Sequence, residues 1–217
     1  MSAAVEIHGA FLQGLVTASH SLNLLLRDTT PSYEPDRWYP VAALTDIIAA
    51  LRRYRQLDPI LRQLGIEMVR RWQATHPVGA AVRSGIEYLR LQQDSAGIQT
   101  VLRGPVDQIG RFDLAALDVA GGTAAIRSST VFPRALEYGT LLTGLAIGGD
   151  LLYFQIDHAA DTDTFEIRFV TDANRASLSW QQGPAIGAAE WRLRHNYRMH
   201  AMQDEFWRAL HDTLHNS

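Results

Sequence analysis

The chain contains no cysteine and no lysine. Without cysteine there is no thiol nucleophile, no disulfide framework, no cysteine-ligated zinc and no iron–sulfur cluster. Without lysine there is no Schiff-base chemistry and no lysine-bearing phosphate loop. All twenty basic residues are arginine, a bias read as genomic base composition. No apolar run approaches the length of a membrane span. Glu6, His8 and Gln13 interrupt the N-terminus where a signal peptide would be basic and then apolar. A cytoplasmic location is therefore expected. The formal net charge of -3 gives no general attraction for nucleic acid or acidic lipid, so neither is expected as a partner.

What is present is material for a core. The 217 residues are 47% hydrophobic and include five tryptophans, enough for one large domain or two small ones. Residues 5 to 26 read mainly as helix. Three prolines make Thr29 to Pro40 a loop. Leu44, Ile47, Ile48 and Leu51 recur at helical spacing. Asp58-Pro59 opens a further helix to about Thr75, with Leu61, Leu64, Met68 and Trp72 on its inner face. Another helical segment runs from Pro77 to about Gln93.

After this helical layer the pattern becomes extended. Ile98 to Arg103 reads as a strand. Arg111 to Val119 and Thr123 to Thr130 read as a hairpin around Gly121-Gly122. Leu151 to His158 and Thr164 to Val170 alternate apolar with polar residues, as half-buried strands do. Between the two pairs lies a helix opened by Pro133 and stopped by Gly148-Gly149. Gly139 and Gly144 lie inside it, each costing about 1 kcal/mol against alanine. They mark a thin helix that a sheet, a partner helix or a ligand can approach closely, or else simple tolerance within a well-packed one.

The expected class is α+β: an N-terminal helical layer on an antiparallel sheet of about five strands (β-β-β-α-β-β), followed by a C-terminal amphipathic helix. Residues 1–170 are expected to form one domain, 171–187 a loop or tether, and 188–217 the last helix. That helix carries Met199, Met202, Phe206, Leu210 and Leu214 on one face. It motivates an expected homodimer, with docking onto its own domain as the competing account.

No catalytic signature emerges. His211 and His215 share a helical face without an evident third ligand. Asp157, Asp161 and Asp163 lack the calcium-loop spacing. Arg52, Arg53, Arg55, Arg62, Arg70 and Arg71 form an arginine-rich stretch without the interleaved aromatics that single-strand binding needs. No catalytic residue, metal or cofactor is assigned. The aromatic residues are the remaining signal. An apolar pocket with a hydroxyl rim is expected from Trp38, Tyr54, Trp72, Tyr88, Phe132, Tyr138, Gly139, Leu142 and Tyr153. Phe132, Tyr138 and Leu142 are placed near a cavity between sheet and helical layer.

Thr-x-Phe-Pro, then a Glu-x-Gly-x-Leu-x-x-Gly helix flanked by hairpins, resembles the ligand-binding superfamily of 4-vinyl reductase domains and haem nitric-oxide-binding domains. It is also similar to a related branch of bacterial sensors. The resemblance covers roughly residues 35 to 170 and is carried by Pro133, Glu137, Gly139, Leu141 and Gly144. It implies a sensor fold and a small-molecule ligand. Members often carry a cysteine just after the proline, where this chain has Arg134, Ala135 and Leu136, and the Tyr-x-Ser-x-Arg motif for haem propionates is missing. Haem is therefore not expected. The leading expectation is a non-enzymatic sensor domain for a small apolar or aromatic molecule, acting in bacterial regulation, with a signalling partner allowed. An enzyme for a small aromatic or isoprenoid substrate and an interaction module without ligand are the alternatives.

Overall fold

The computed structural model describes residues 4–21, 32–55, 57–158 and 162–174. The expected C-terminal helix and most of the expected tether lie outside them. The chain begins with β1 (Glu6–His8) and α1 (Gly9–Ser21), then β2 (Trp38–Pro40), α2 (Ala42–Leu51) and the long α3 (Leu57–Thr75). Short helices follow: α4 (Pro77–Ala81), α5 (Gly85–Leu91) and α6 (Ala96–Gln99). Next come β3 (Leu102–Arg103), α7 (Val106–Ile109), and the hairpin β4 (Phe112–Asp118) and β5 (Thr123–Ser128). Helix α8 (Arg134–Leu145), β6 (Tyr153–Asp157) and β7 (Thr164–Val170) complete the described fold.

The architecture is α+β with antiparallel sheets, as the sequence pattern implies. The main sheet has four strands in the order β4-β5-β7-β6, and a small second sheet has the order β2-β1-β3. The expected fifth strand is where the two differ. Residues 96–99 are helical and only Leu102–Arg103 is extended, paired to β1 rather than to the main sheet. Ile98, Val101 and Leu102 fit i, i+3, i+4 as well as they fit an extended run, so periodicity alone favours neither. The first segment also differs from the helical reading, because Glu6–His8 is a strand with only Ile7 fully buried. Its partners, Trp38–Pro40 and Leu102–Arg103, lie far away in sequence. Pro40 is tolerated because β2 is an edge strand.

The main sheet buries one face. Phe165, Ile167 and Phe169 on β7 are at most 1% exposed, while Glu166 and Arg168 between them face out. Phe154 and Ile156 of β6 and Ala124, Ile126 and Ser128 of β5 join the buried side. Helix α8 packs on the sheet at β6, and α3 and α5 pack on α8. Helix α8 follows Pro133 directly, and Gly148 and Gly149 at φ +72° and +69° end the 3-10 turn beyond it. Its closest partner is α3. A Cβ on Gly139 would sit 2.0 Å from the carbonyl oxygen of Arg62, and one on Gly65 would sit 2.1 Å from that of Leu136. The two glycines let the helix backbones touch.

Candidate functional site

Beyond this backbone contact, the packing leaves a cavity of about 50 Å³. Phe11 of α1, Val69 and Trp72 of α3, Ile98 of α6, Phe112 of β4 and Phe132 give it apolar walls. Its polar edge comes from Tyr88, Gln92, Thr100, Glu137 and Thr140. Nearly all of these side chains are buried. The sequence brings them together from both ends of the domain: α1 and α3 supply one side, α5 and α6 a second, and the start of α8 a third.

Glu137 is the unusual wall residue. At 2% exposure it sits one turn into α8. Ser128 Oγ donates to its Oε1, and Thr130 Oγ1 donates to the same oxygen at 2.5 Å. Arg134 Nη1 donates to Oε2 at 2.8 Å, and Arg134 Nη2 also donates to the Ser128 carbonyl. Burial pushes the Glu137 carboxyl pKa above its ordinary value, against the three side-chain donors that favour the charged form. Burial also raises the Tyr88 phenol, partly opposed by a hydrogen bond with Thr140. Thr140 Oγ1 donates to the Glu137 carbonyl at 2.7 Å, and Gln92 Nε2 to the Tyr88 carbonyl at 3.0 Å.

Trp72 differs from these satisfied groups. It is 4% exposed, yet its indole Nε1 is buried without a hydrogen-bond partner among the described residues. Gly79 packs on the Cε3 side of the ring, away from Nε1. The Trp72 ring also stacks on His76 at 6.1 Å, and His76 meets His8 edge-on at 5.3 Å. His76 Nδ1 caps α4 by accepting from the Val78 N–H at 3.2 Å. Burial lowers the pKa of both histidines, and the charge of His76 lowers that of His8 further.

Of the nine residues singled out from sequence, Trp72, Tyr88 and Phe132 line the cavity. Gly139 and Leu142 are buried on α8, Gly139 against the α3 backbone. Trp38 lies in the small sheet, edge-on to His8 at 5.0 Å and beneath the Arg103 guanidinium. Tyr54 is half-buried after α2, under Arg53. Tyr153 is on β6, its hydroxyl 3.3 Å from Gln155 Oε1. Tyr138 faces a separate cleft of about 520 Å³, with Arg62 stacked on its ring at 4.7 Å. Asp58, Arg134, Asp157 and His158 share that cleft. Phe11, Gln92, Phe112, Glu137 and Thr140 line the cavity without having been assigned to a site from sequence. Glu137 did carry a signal, being a carboxylate at the i, i+4, i+7 spacing of Leu141 and Gly144.

No family model and no curated protein matches the sequence. Solved structures match the fold. A mutant H-NOX protein from S. oneidensis in the Fe(II) ligation state superposes with a TM-score of 0.54 at 15% identity, covering 77% of this chain and 98% of that one. A mutant H-NOX protein from K. algicida, Fe(II) unliganded, gives 0.54 at 10% identity over 76% and 98%. An oxygen-binding H-NOX domain related to soluble guanylate cyclases gives 0.51 at 11% identity over 76% and 94%. The chain has the fold of H-NOX domains.

Haem, which that likeness brings to mind, does not fit this cavity. Iron in haem takes an axial histidine, cysteine, methionine or tyrosine. Among the residues lining the cavity only Tyr88 is of those types, and its phenol is pushed away from the ionised form. A cavity of about 50 Å³ is also far below the roughly 300–1,000 Å³ of cofactor and drug-sized pockets. Among the described residues, no group of three histidine or carboxylate side chains is placed to hold a metal ion.

Proposed function

We propose that the domain is a non-enzymatic, haem-independent sensor whose small, mainly apolar ligand occupies the cavity between α3, α5, α6 and α8. The supporting observation is the cavity itself, with aromatic walls and a polar edge; Trp72, one of its lining residues, has an indole N–H without a protein partner among the described residues. The H-NOX fold adds support at the level of architecture. The reading includes a cytoplasmic bacterial regulator of the related sensor branch, acting as a homodimer through residues 188–217 or on a signalling partner. Among the described residues no helix is long and apolar enough to cross a membrane.

The larger cleft gives the enzyme alternative its one specific observation, because titratable groups converge there. Two of these groups, Asp157 and Tyr138, are not placed for proton transfer. Hydrogen bonds from Gln155 and Arg168 hold Asp157 below the ordinary carboxylate range, and burial raises Tyr138. Neither is poised as a base or acid near neutrality. The interaction-module alternative calls for a broad exposed apolar face. Among the described residues the exposed large hydrophobics are Val106 and Val131.

Xenon tests the site. Under xenon pressure, aromatic NMR signals of Trp72, Tyr88 and Phe132 are expected to shift saturably. Shifts confined to other regions would remove the cavity as the binding site. Light scattering before and after truncation at Ala188 tests the dimer: a parent already monomeric at micromolar concentration rejects it.

A further inference from the structure

The cavity specifies more about its occupant than small size. An apolar cavity of about 150 Å³ holds benzene or xenon, so about 50 Å³ admits a molecule of only a few heavy atoms. None of the described residues lining it is cationic. The carboxyl group at its wall, Glu137, already accepts from Ser128, Thr130 and Arg134. An anionic ligand would meet that carboxylate with no partner of its own, and a cation would compete with Arg134 for it. The occupant that fits is neutral. It is not a pure hydrocarbon either. Trp72 lines the cavity, is 4% exposed, and carries a buried indole N–H with no acceptor among the described residues. A tryptophan N–H is a donor only, and a buried donor left unpaired is costly.

We propose that the ligand is a neutral molecule of only a few heavy atoms bearing one oxygen acceptor, a short ketone or alcohol, whose oxygen accepts from Trp72 Nε1. This rests on the cavity being the ligand site. Thr140 and Thr100 donate their own hydroxyl protons to the carbonyls of Glu137 and Gly97. Thr100 keeps its lone pairs, and Thr140, which also hydrogen-bonds with Tyr88, keeps one, to receive the proton of an alcohol, whereas a ketone needs Trp72 alone.

Three probes of matched size test it: propan-2-one, propan-2-ol and 2-methylpropane, titrated into the full chain with the indole N–H and aromatic signals followed by NMR. Propan-2-one or propan-2-ol is expected to move the Trp72 indole N–H downfield and to saturate. The Trp72→Phe variant keeps an aromatic wall and loses the donor. It is expected to weaken the oxygen-bearing probes by about tenfold and to leave 2-methylpropane within about twofold. A stronger response to the alcohol than to the ketone assigns the threonine lone pairs a part. If 2-methylpropane binds at the cavity and the oxygen-bearing probes bind no better, or bind equally to Trp72→Phe, the acceptor is overturned while the cavity site stands. If no probe perturbs Trp72, Tyr88 or Phe132, both fall. The indole shift in the unmodified chain decides the matter even if Trp72→Phe does not fold.

Discussion

At Gly139, helix α8 has no room for a methyl group against α3, whereas one residue later, at Thr140, the same helix borders a cavity of about 50 Å³. Both regions involve the same pair of helices. In the first, backbone meets backbone through Gly65 and Gly139. In the second, Val69 and Trp72 of α3 stand apart from Glu137 and Thr140 of α8. The close contact sets the helix separation, and the larger side chains further along cannot fill what that separation leaves. The glycines thus fix the frame of the cavity without lining this part of it. Gly144 belongs to a third kind of contact, against the Tyr88 ring, where an added Cβ would lie 2.1 Å from a ring carbon.

The contrast is broken most severely by adding one carbon on the tight side. In Gly139→Ala the new Cβ would collide with a carbonyl oxygen that cannot rotate away, so α3 and α8 must separate. A loss of about 3 kcal/mol is expected, at the upper end of overpacking costs. It should lower the melting temperature by roughly 6–12 °C in a domain of this size. Thermal unfolding followed by circular dichroism measures it. Gly65→Ala should behave alike, and the double variant should cost less than the sum, since both open one gap. Strict additivity would mean that the two glycines act at independent contacts.

Removing the polar wall should come next. Glu137→Ala leaves the buried Ser128 hydroxyl and the Thr130 hydroxyl without their acceptor, while Arg134, 35% exposed, can turn toward water. About 2 kcal/mol of lost stability is expected. Glu137→Gln keeps one acceptor oxygen and should cost less than half of that. It should also change the pH dependence. Because the folded pKa of Glu137 is raised, its contribution is fully present below the unfolded value and is lost as pH rises through the folded one. Urea unfolding from pH 4.5 upward should show this decline in the parent and not in Glu137→Gln. Equal slopes would mean that Glu137 is not held toward its neutral form.

On the open side, the same increment in size should have the opposite sign. Val69→Ile adds one methylene where the cavity can receive it. A gain of about 0.8 kcal/mol is expected from its burial, with xenon binding reduced. A loss comparable to that of Gly139→Ala would show that the space is not usable by protein atoms.

These tests also separate what was legible in the sequence from what was not. Helix α8 and strands β6 and β7 were legible because their signals are local: Pro133, Gly148, and the alternation of Phe165, Ile167 and Phe169 with charges. The small sheet was not. Its strands are two or three residues long and join Ile7 to Tyr39 and Leu102, and nothing local announces such distant pairings. The aromatic content suggested a pocket, and spacing in one helix placed Trp72 inward. Trp38, in the proline-rich stretch, had no such spacing to place it, and its position is set by β2 in the small sheet. The cavity draws residues from Phe11 to Thr140 across helices and a strand, a separation no periodicity spans.

The weakest effect should come from the aromatic stack behind Trp72. His76 stacks on Trp72 and meets His8, and both histidines titrate below their ordinary value of 6.5. For His8 the causes are burial, then the His76 and Arg103 charges, against Asp36; for His76 the cause is burial. The unfolded chain therefore takes up these protons first as pH falls. Stability should be full above 6.5 and decline below it, toward the folded values. Both rings are only partly buried, which makes the decline shallow. Glu137 acts with the opposite sign in acid, so the measurement belongs in the Glu137→Gln background. There, His76→Asn retains an acceptor for the Val78 N–H while removing one titrating ring. Urea unfolding at pH 7.5 and 5.5 should show a smaller loss in His76→Asn than in its parent. The Trp72 indole signal should also broaden or move in acid only where His76 is intact. An identical pH dependence in the two proteins would remove the histidine pair from the account and leave Trp72 coupled to the cavity alone.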